Sequence, residues 1–195
     1  MTRRSLLIFG LAALAAFGVL VYAVAPVPVT PYMLAERVRL GELDYDWTPM
    51  SQIAPAMQLA AVAAEDANFC AHWGFDIGAL RDAIKGGMQR GGSTISQQVA
   101  KNVFLWPGRT WLRKGLEAGF TVLIEVFWPK RRIMEVYLNV AEFDEGVFGV
   151  EAAAQRYWKT SAADLGPQRA ARLMAVLPDP QDRSPVSGTA FINRR

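Results

Sequence analysis

Apolar residues fall along this chain in two regimes. From Ser5 to Ala35 there is no charged residue, and positions 6–24 form a mostly apolar run of 19 residues. At about 1.5 Å of rise per residue, a helix of that length matches the hydrocarbon core of a bilayer. Beyond it, apolar positions recur every three or four residues, the helical period. Residues 51–64 carry Ile53, Met57, Leu59, Ala60, Val62 and Ala63, with Pro55 in the first turn, where its missing N–H is tolerated. Residues 77–88 form another predicted helix, stopped by Gly86-Gly87 and then Gly91-Gly92. The next begins at Ser93 or Thr94, since Thr94 and Gln97 have the spacing of a capping box. Residues 111–127 place Leu112, Leu116, Phe120, Leu123 and Phe127 in helical register, and residues 130–140 do so with Ile133, Val136, Tyr137 and Val140. Two further helices are predicted over 146–158, lined with small residues, and 165–177, ended by Pro178 and Pro180. No alternating strand and no internal repeat stands out, so the pattern predicts a domain that is all-α or mainly α.

The same pattern divides the chain. Residues 1–30 read as a short cytoplasmic stub, a transmembrane anchor and a stiff exit through Pro26 and Pro28, with Pro31 opening the remainder. Arg3 and Arg4 precede the apolar run and hold that end in the cytoplasm, which sends residues 31–195 outward. Ala23-Val24-Ala25 also fits a signal-cleavage site, but the run exceeds an ordinary signal core, which favours a retained anchor. Either way the domain is exported, in a bacterium to the outer face of the inner membrane. Its 165 residues are enough to bury a core without staples. The lone Cys70 rules out an intrachain disulfide, and the single His72 rules out a histidine-rich metal site. A net charge of +3 suits anionic headgroups or a pyrophosphate, and no nucleic-acid motif accompanies it. Residues 103–112 mix Phe104, Trp106 and Trp111 with turn residues, fitting a loop tucked on the core or a lip at the bilayer interface.

Candidate chemistry begins at Glu65 and Asp66, adjacent acids at the end of a predicted helix. The charged form of a carboxylate is disfavoured there by the helix dipole, which suits a group meant to accept a proton. For an arbitrary pair, solvated charges at a helix end are the simpler account. Gln97, Gln98 and Lys101 lie within one helical turn of a start at Ser93 and Thr94, where backbone N–H groups favour anions. Arg113 and Glu117 are one turn apart, as in an ordinary helical ion pair, with Lys114 beside them. Lys130-Arg131-Arg132 reads by default as a solvated charge run.

What lifts these segments above their ordinary explanations is their order. Glu65-Asp66-x-x-Phe69-x-x-His72-x-Gly74-x-Asp76 precedes Gly92-Ser93-Thr94-Ile95-x-Gln97-Gln98-x-x-Lys101-Asn102. Arg113-Lys114-x-x-Glu117 follows, then Lys130-x-x-Ile133-x-Glu135-x-Tyr137-Leu138-Asn139, then Gly146-x-x-Gly149-x-x-x-Ala153 and Tyr157. The set resembles the peptidoglycan glycosyltransferases of family 51, in their monofunctional form with one membrane anchor. The resemblance implies a lysozyme-like α domain that polymerises lipid II into β-1,4 glycan strands with release of undecaprenyl pyrophosphate. It implies Glu65 as the base and Glu117 as the second acid. Lys101, Arg113 and Lys114 would neutralise the pyrophosphate. Ser93, Thr94, Gln97, Gln98 and Asn102 would position donor sugar or phosphate, with Asp66, Phe69, His72, Lys130, Glu135 and Tyr137 as supports. Ser96 stands where that family has Thr, and Arg169 where an acid is common. Relatives also continue through a further helix beyond the position of Arg195.

The implied partners are lipid II, the growing lipid-linked glycan, the membrane and other cell-wall or division proteins, and not nucleic acid. No organic cofactor is implied. A divalent cation, Mg²⁺ or Mn²⁺, would assist without being tightly held, with Glu117 or Asp66 as its candidate ligands. Two other readings compete: a lysozyme-like enzyme that cleaves glycan, and an inactive scaffold that binds lipid II. A cleaver has no use for the Lys101, Arg113 and Lys114 cluster, and an inactive scaffold has no reason to keep both acids and cations.

Overall fold

The computed structural model describes residues 2–85, 92–108 and 110–187. Helices dominate: α1 (Arg3–Tyr22), α2 (Pro31–Leu40), α3 (Pro55–Glu65), α4 (Ile77–Lys85), α5 (Ile95–Phe104), α6 (Trp111–Phe127), α7 (Lys130–Val140), α8 (Val150–Trp158) and α9 (Pro167–Val176). The expected bounds of α6 and α7 are those observed. The glycines expected to end α4, at 86–87 and 91, and its last expected turn lie outside the described residues.

The centre of the molecule is α7. Its sequence suggests one apolar face, yet Arg132, Met134, Leu138 and Asn139 are buried along with Ile133, Val136, Tyr137 and Val140. A helix covered on all sides is a core element. It packs on α5, which buries Ile95, Val99, Ala100 and Val103, while α3 packs on α9 to close the other side of the core. Gly149, just before α8, shows why the chain needs a glycine there. Its φ is +86°, and a Cβ would stand 2.9 Å from the backbone oxygen of Asn139 in α7.

The domain is mainly helical, as expected, and two details change. β1 (Asp44–Tyr45), β2 (Glu142–Asp144) and β3 (Val147–Phe148) form a small sheet in the order β1-β3-β2. β1 runs parallel to β3 with Tyr45 opposite Phe148, and β2 runs antiparallel to β3 with Glu142 opposite Phe148. Strands this short cannot display an alternating pattern, so tertiary pairing makes them. The second change is the orientation of α6. Its buried residues are Arg113, Glu117, Thr121, Ile124 and Glu125, whereas Leu112, Leu116, Val122, Val126 and Phe127 are exposed. The helix turns a largely polar stripe inward and an apolar stripe out.

The end of α1 is seated on the domain. Val19 is fully buried, and its carbonyl accepts the Trp128 indole N–H at 2.8 Å. Phe104 stacks on Phe120 with ring centres 4.5 Å apart, and Tyr22 lies 6.1 Å from Phe104. Among the described residues no helix is long and apolar enough to cross a membrane; the side chains at 7, 8, 11 and 12 in α1 lie outside that set.

Candidate active site

The two adjacent acids at the end of α3 part company. Asp66 leaves helical geometry and turns inward: Oδ1 meets Nε2 of His72 at 2.8 Å, and Oδ2 accepts the Ile95 N–H at 3.0 Å. A buried carboxylate is thus used to fasten the first turn of α5 to the end of α3. Glu65 is only half-buried, and its Oε2 accepts a hydrogen bond from Nε2 of Gln98 at 3.0 Å. Glu65 itself lines neither cavity described below; its link to the first is Gln98, which does.

The start of α5 follows the expected capping box. Thr94 Oγ1 accepts the Gln97 N–H at 3.2 Å, and Gln97 Oε1 accepts the Thr94 N–H at 3.0 Å. The Thr94 hydroxyl also donates to the Gly74 carbonyl at 2.6 Å. Thr94 is therefore buried in the cap and does not line the cavity, unlike the other residues expected to position substrate.

One turn along α5 the cavity opens. It measures about 480 Å³ and brings Ser93, Gln97, Gln98, Lys101 and Asn102 of the α5 segment against Arg113, Lys114 and Glu117 of α6. Leu105, Trp106, Pro107 and Gly108 form its rim, and Tyr32 of α2 closes it. Glu117 Oε2 takes Arg113 Nη1 at 3.1 Å, and Oε1 takes the Lys114 ammonium. Three cations and one anion thus line the cavity. Lys101 is an exposed residue, but its surroundings crowd it. Desolvation holds its ammonium below the ordinary lysine range, Arg113 and Lys114 push the same way, and Glu117 opposes them. Such a group gains most when an anion arrives. Asn102 adds a buried Oδ1 without a hydrogen-bond partner among the described residues.

The supporting residues lie behind this wall. The Lys130 ammonium donates to the His72 carbonyl at 2.7 Å and stands 4.5 Å from the Phe69 ring centre. Glu135 faces elsewhere, accepting the Met50 N–H at 2.7 Å and pairing with Arg132 at 2.5 Å. Tyr137 is fully buried, and desolvation together with the nearby carboxylates of Glu65 and Asp66 raises its pKa well above the usual phenol range.

The family of the chain is shown by comparison with known proteins. The family model described as Transglycosylase matches residues 34–195. The chain belongs to the transglycosylase family. A relative in Jannaschia sp., named biosynthetic peptidoglycan transglycosylase, is 58% identical over 99% of this chain and 82% of its own. One in Caulobacter vibrioides, with the same name, is 52% identical over 91% of this chain and 80% of its own. A third of that name, in Pseudomonas fluorescens, is 51% identical over 91% and 78%.

Around this transglycosylase's cavity stand residues that sequence patterns do not single out. Tyr32 donates to Glu142 Oε2 at 2.7 Å, and both line a second cavity of about 290 Å³ that shares Gln98, Lys101 and Asn102 with the first. Burial raises the pKa of Glu142 from its ordinary value, against the hydrogen bonds from Tyr32 and the Gly146 N–H. Tyr32 follows the Pro-rich exit without any repeat to mark it, and Glu142 sits in a strand too short to announce itself. Glu125, within a run of large apolar residues, was equally silent.

Proposed function

We propose that this transglycosylase polymerises a lipid-linked disaccharide, lipid II, into β-1,4 glycan at the outer face of the bacterial inner membrane, in cell-wall synthesis. The observation that carries the proposal is the shared use of α5. Gln98 holds the carboxylate of Glu65, and Lys101, one turn on, faces the cavity with Arg113, Lys114 and Glu117. One helix, α5, thus ties the proposed base to the first cation of the wall, and α6 supplies the others.

In the proposed step Glu65 takes the proton from the 4-hydroxyl of the acceptor sugar. That oxygen forms the new bond to the anomeric carbon of the growing chain as the bond to the lipid pyrophosphate breaks. The electron pair leaves with the pyrophosphate, whose charge Lys101, Arg113 and Lys114 balance. A single displacement converts the α linkage to β, like the inverting glycosidases but with a sugar hydroxyl in place of water. The leaving group needs no general acid.

A divalent cation would bring further neutralisation of the phosphates. The protein residues do not fit a cage for one. Both oxygens of Glu117 are taken by Arg113 and Lys114, and those of Asp66 by His72 and the Ile95 N–H. Asp76, whose ligand atoms lie within 4.8 Å of those of Asp66 and His72, already accepts from Asn68 and the Ala79 N–H. Mg²⁺ or Mn²⁺ would instead be carried in by the substrate's phosphates, keeping most of its waters.

The membrane part of the proposal rests on α1 and α6. α1 is a continuous helix of 20 residues with no charge after Arg4, and Phe9, Leu14, Phe17 and Leu20 are exposed on it. Trp106, Trp111, Leu112 and Leu116 add exposed apolar surface at the rim of the cavity and the start of α6, where an aromatic lip suits the headgroup region. A retained α1 would keep the cavity next to its lipid-linked substrate.

Purified protein in detergent, supplied with lipid II, tests the function. Polymer should form, and Glu65→Gln should lower its rate by at least about 10²-fold, as expected for loss of a general base. Retention of lipid II binding by the variant is part of the expected result. Undiminished polymer from Glu65→Gln would overturn the assigned base, and soluble muropeptides released from isolated cell walls would instead mark a cleaving enzyme. In the same assay excess EDTA should slow polymerisation; an unchanged rate would remove the cation from the proposal.

A further inference from the structure

We infer that Glu125 is a positioning residue for the transfer, closing a ring of contacts that fixes the base and the substrate-binding helix relative to each other. The inference rests on the proposed roles of Glu65 and α5. Glu125 lies on α6 two turns beyond Glu117, on the inward stripe, with only 5% of its side chain exposed. Its Oε1 accepts the Ser96 hydroxyl at 2.5 Å and the Lys130 ammonium at 2.8 Å. From Lys130 the ring passes to the His72 carbonyl at 2.7 Å, and from the His72 ring to Asp66 Oδ1 at 2.8 Å. Asp66 Oδ2 then accepts the Ile95 N–H at 3.0 Å, next to Ser96, which returns to Glu125.

Each link joins a different piece of the site. Asp66 adjoins the proposed base, Ile95 and Ser96 form the first turn of the helix that carries Gln98 and Lys101, and Lys130 opens α7. Gly74 locks the ring from one side: a Cβ there would stand 2.6 Å from Thr121 Cγ2 and 3.0 Å from Glu125 Cγ, and its carbonyl takes the Thr94 hydroxyl. The Glu65–Gln98 contact therefore depends on where Glu125 holds α5 against the 66–74 loop. A buried carboxylate with one ammonium and one hydroxyl is also a demanding partner, since removing its charge leaves Lys130 uncompensated. None of these contacts touches the cavity, so the effect on catalysis is through position.

The test is Glu125→Gln, which keeps the shape and removes the charge, beside Ser96→Ala and Ser96→Thr. With lipid II in detergent, Glu125→Gln should lower kcat by about tenfold or more with KM changed less than about threefold, the signature of a misplaced reacting group rather than lost binding. Ser96→Ala should show the same split, and Ser96→Thr, which keeps the hydroxyl, should recover most of the loss. Amide hydrogen exchange at Ile95 and in residues 66–74 should speed up in Glu125→Gln while distant helices stay protected. A wild-type protein that makes no polymer would defeat the proposed function, and the exchange pattern would still decide the positioning ring. An unchanged kcat, or a loss that matches a fall in folded fraction with no local exchange change, would overturn the inference.

Discussion

Lys101 is the residue whose chemistry should be visible in solution. Its ammonium is held below the ordinary lysine value first by desolvation, with Arg113 and Lys114 adding to that effect. A pyrophosphate favours the charged form, so binding should raise the pKa back toward its ordinary range. The sign then follows. Affinity is full below the depressed pKa of the free site and falls as pH rises through it, because binding must then take up a proton. Titration calorimetry with inorganic pyrophosphate in buffers of different ionisation enthalpy should show proton uptake on the alkaline side, and Lys101→Met should abolish it. Uptake that survives in Lys101→Met would assign the titration to another group. Glu117 limits the cost of gathering these cations, since both its oxygens are already shared between Arg113 and Lys114. Substrate phosphate would compete with Glu117 for both.

At the scale of elements, Gly74 and α6 carry the argument. Gly74 has φ +78°, and an added Cβ would collide with Thr121 and Glu125 on α6. Gly74→Ala should therefore cost about 3 kcal/mol, from left-handed strain and overpacking together. In a domain of this size that corresponds to a melting temperature lower by roughly 6–12 °C. A calorimetric scan with no shift would mean that the loop and α6 separate easily. The inward stripe of α6 also shows where sequence patterns fail. Leu112, Leu116 and Phe127 fall at helical spacing, and periodicity assigns such residues to a core. Here Arg113, Glu117, Thr121 and Glu125, at an equally helical spacing, are in the buried set: Glu117 pairs with Arg113 and Lys114, Thr121 donates to the Glu117 carbonyl, and Glu125 takes Ser96 and Lys130. Periodicity finds a helix but cannot say which of two stripes a neighbouring polar network will claim. Motif order, by contrast, brought together Ser93, Gln97, Gln98, Lys101, Asn102, Arg113, Lys114 and Glu117, all of which line one cavity. Tyr32 and Glu142 escaped because their pairing spans 110 positions and no local pattern encodes it.

Taken as a whole, the molecule holds the end of α1 more firmly than a flexible tether would. A helix leaves its last carbonyls without intrahelical partners. In this chain the domain grips the backbone at and just past that end: Trp128 donates to Val19 O at 2.8 Å, beside the Ala23 N–H, Arg132 Nε to Tyr22 O at 3.0 Å, and a second Arg132 nitrogen to Ala25 O beyond the helix. Tyr45 adds a hydrogen bond to Val27 O at 2.5 Å. Arg132 in turn pairs with Glu135 and lies 5.0 Å from the Trp47 ring centre, so the clamp is anchored in the core helix α7. If α1 crosses the bilayer as proposed, this clamp sets the angle at which the cavity meets the membrane. The double variant Trp128→Phe, Arg132→Met removes the donors at a cost of about 1 kcal/mol for each hydrogen bond, and more where a buried partner stays unsatisfied. Polymerisation of lipid II in liposomes should then fall several-fold more than polymerisation in detergent micelles, where no bilayer plane constrains the substrate. Equal losses in the two media would show that the contacts serve the stability of the domain and not its orientation.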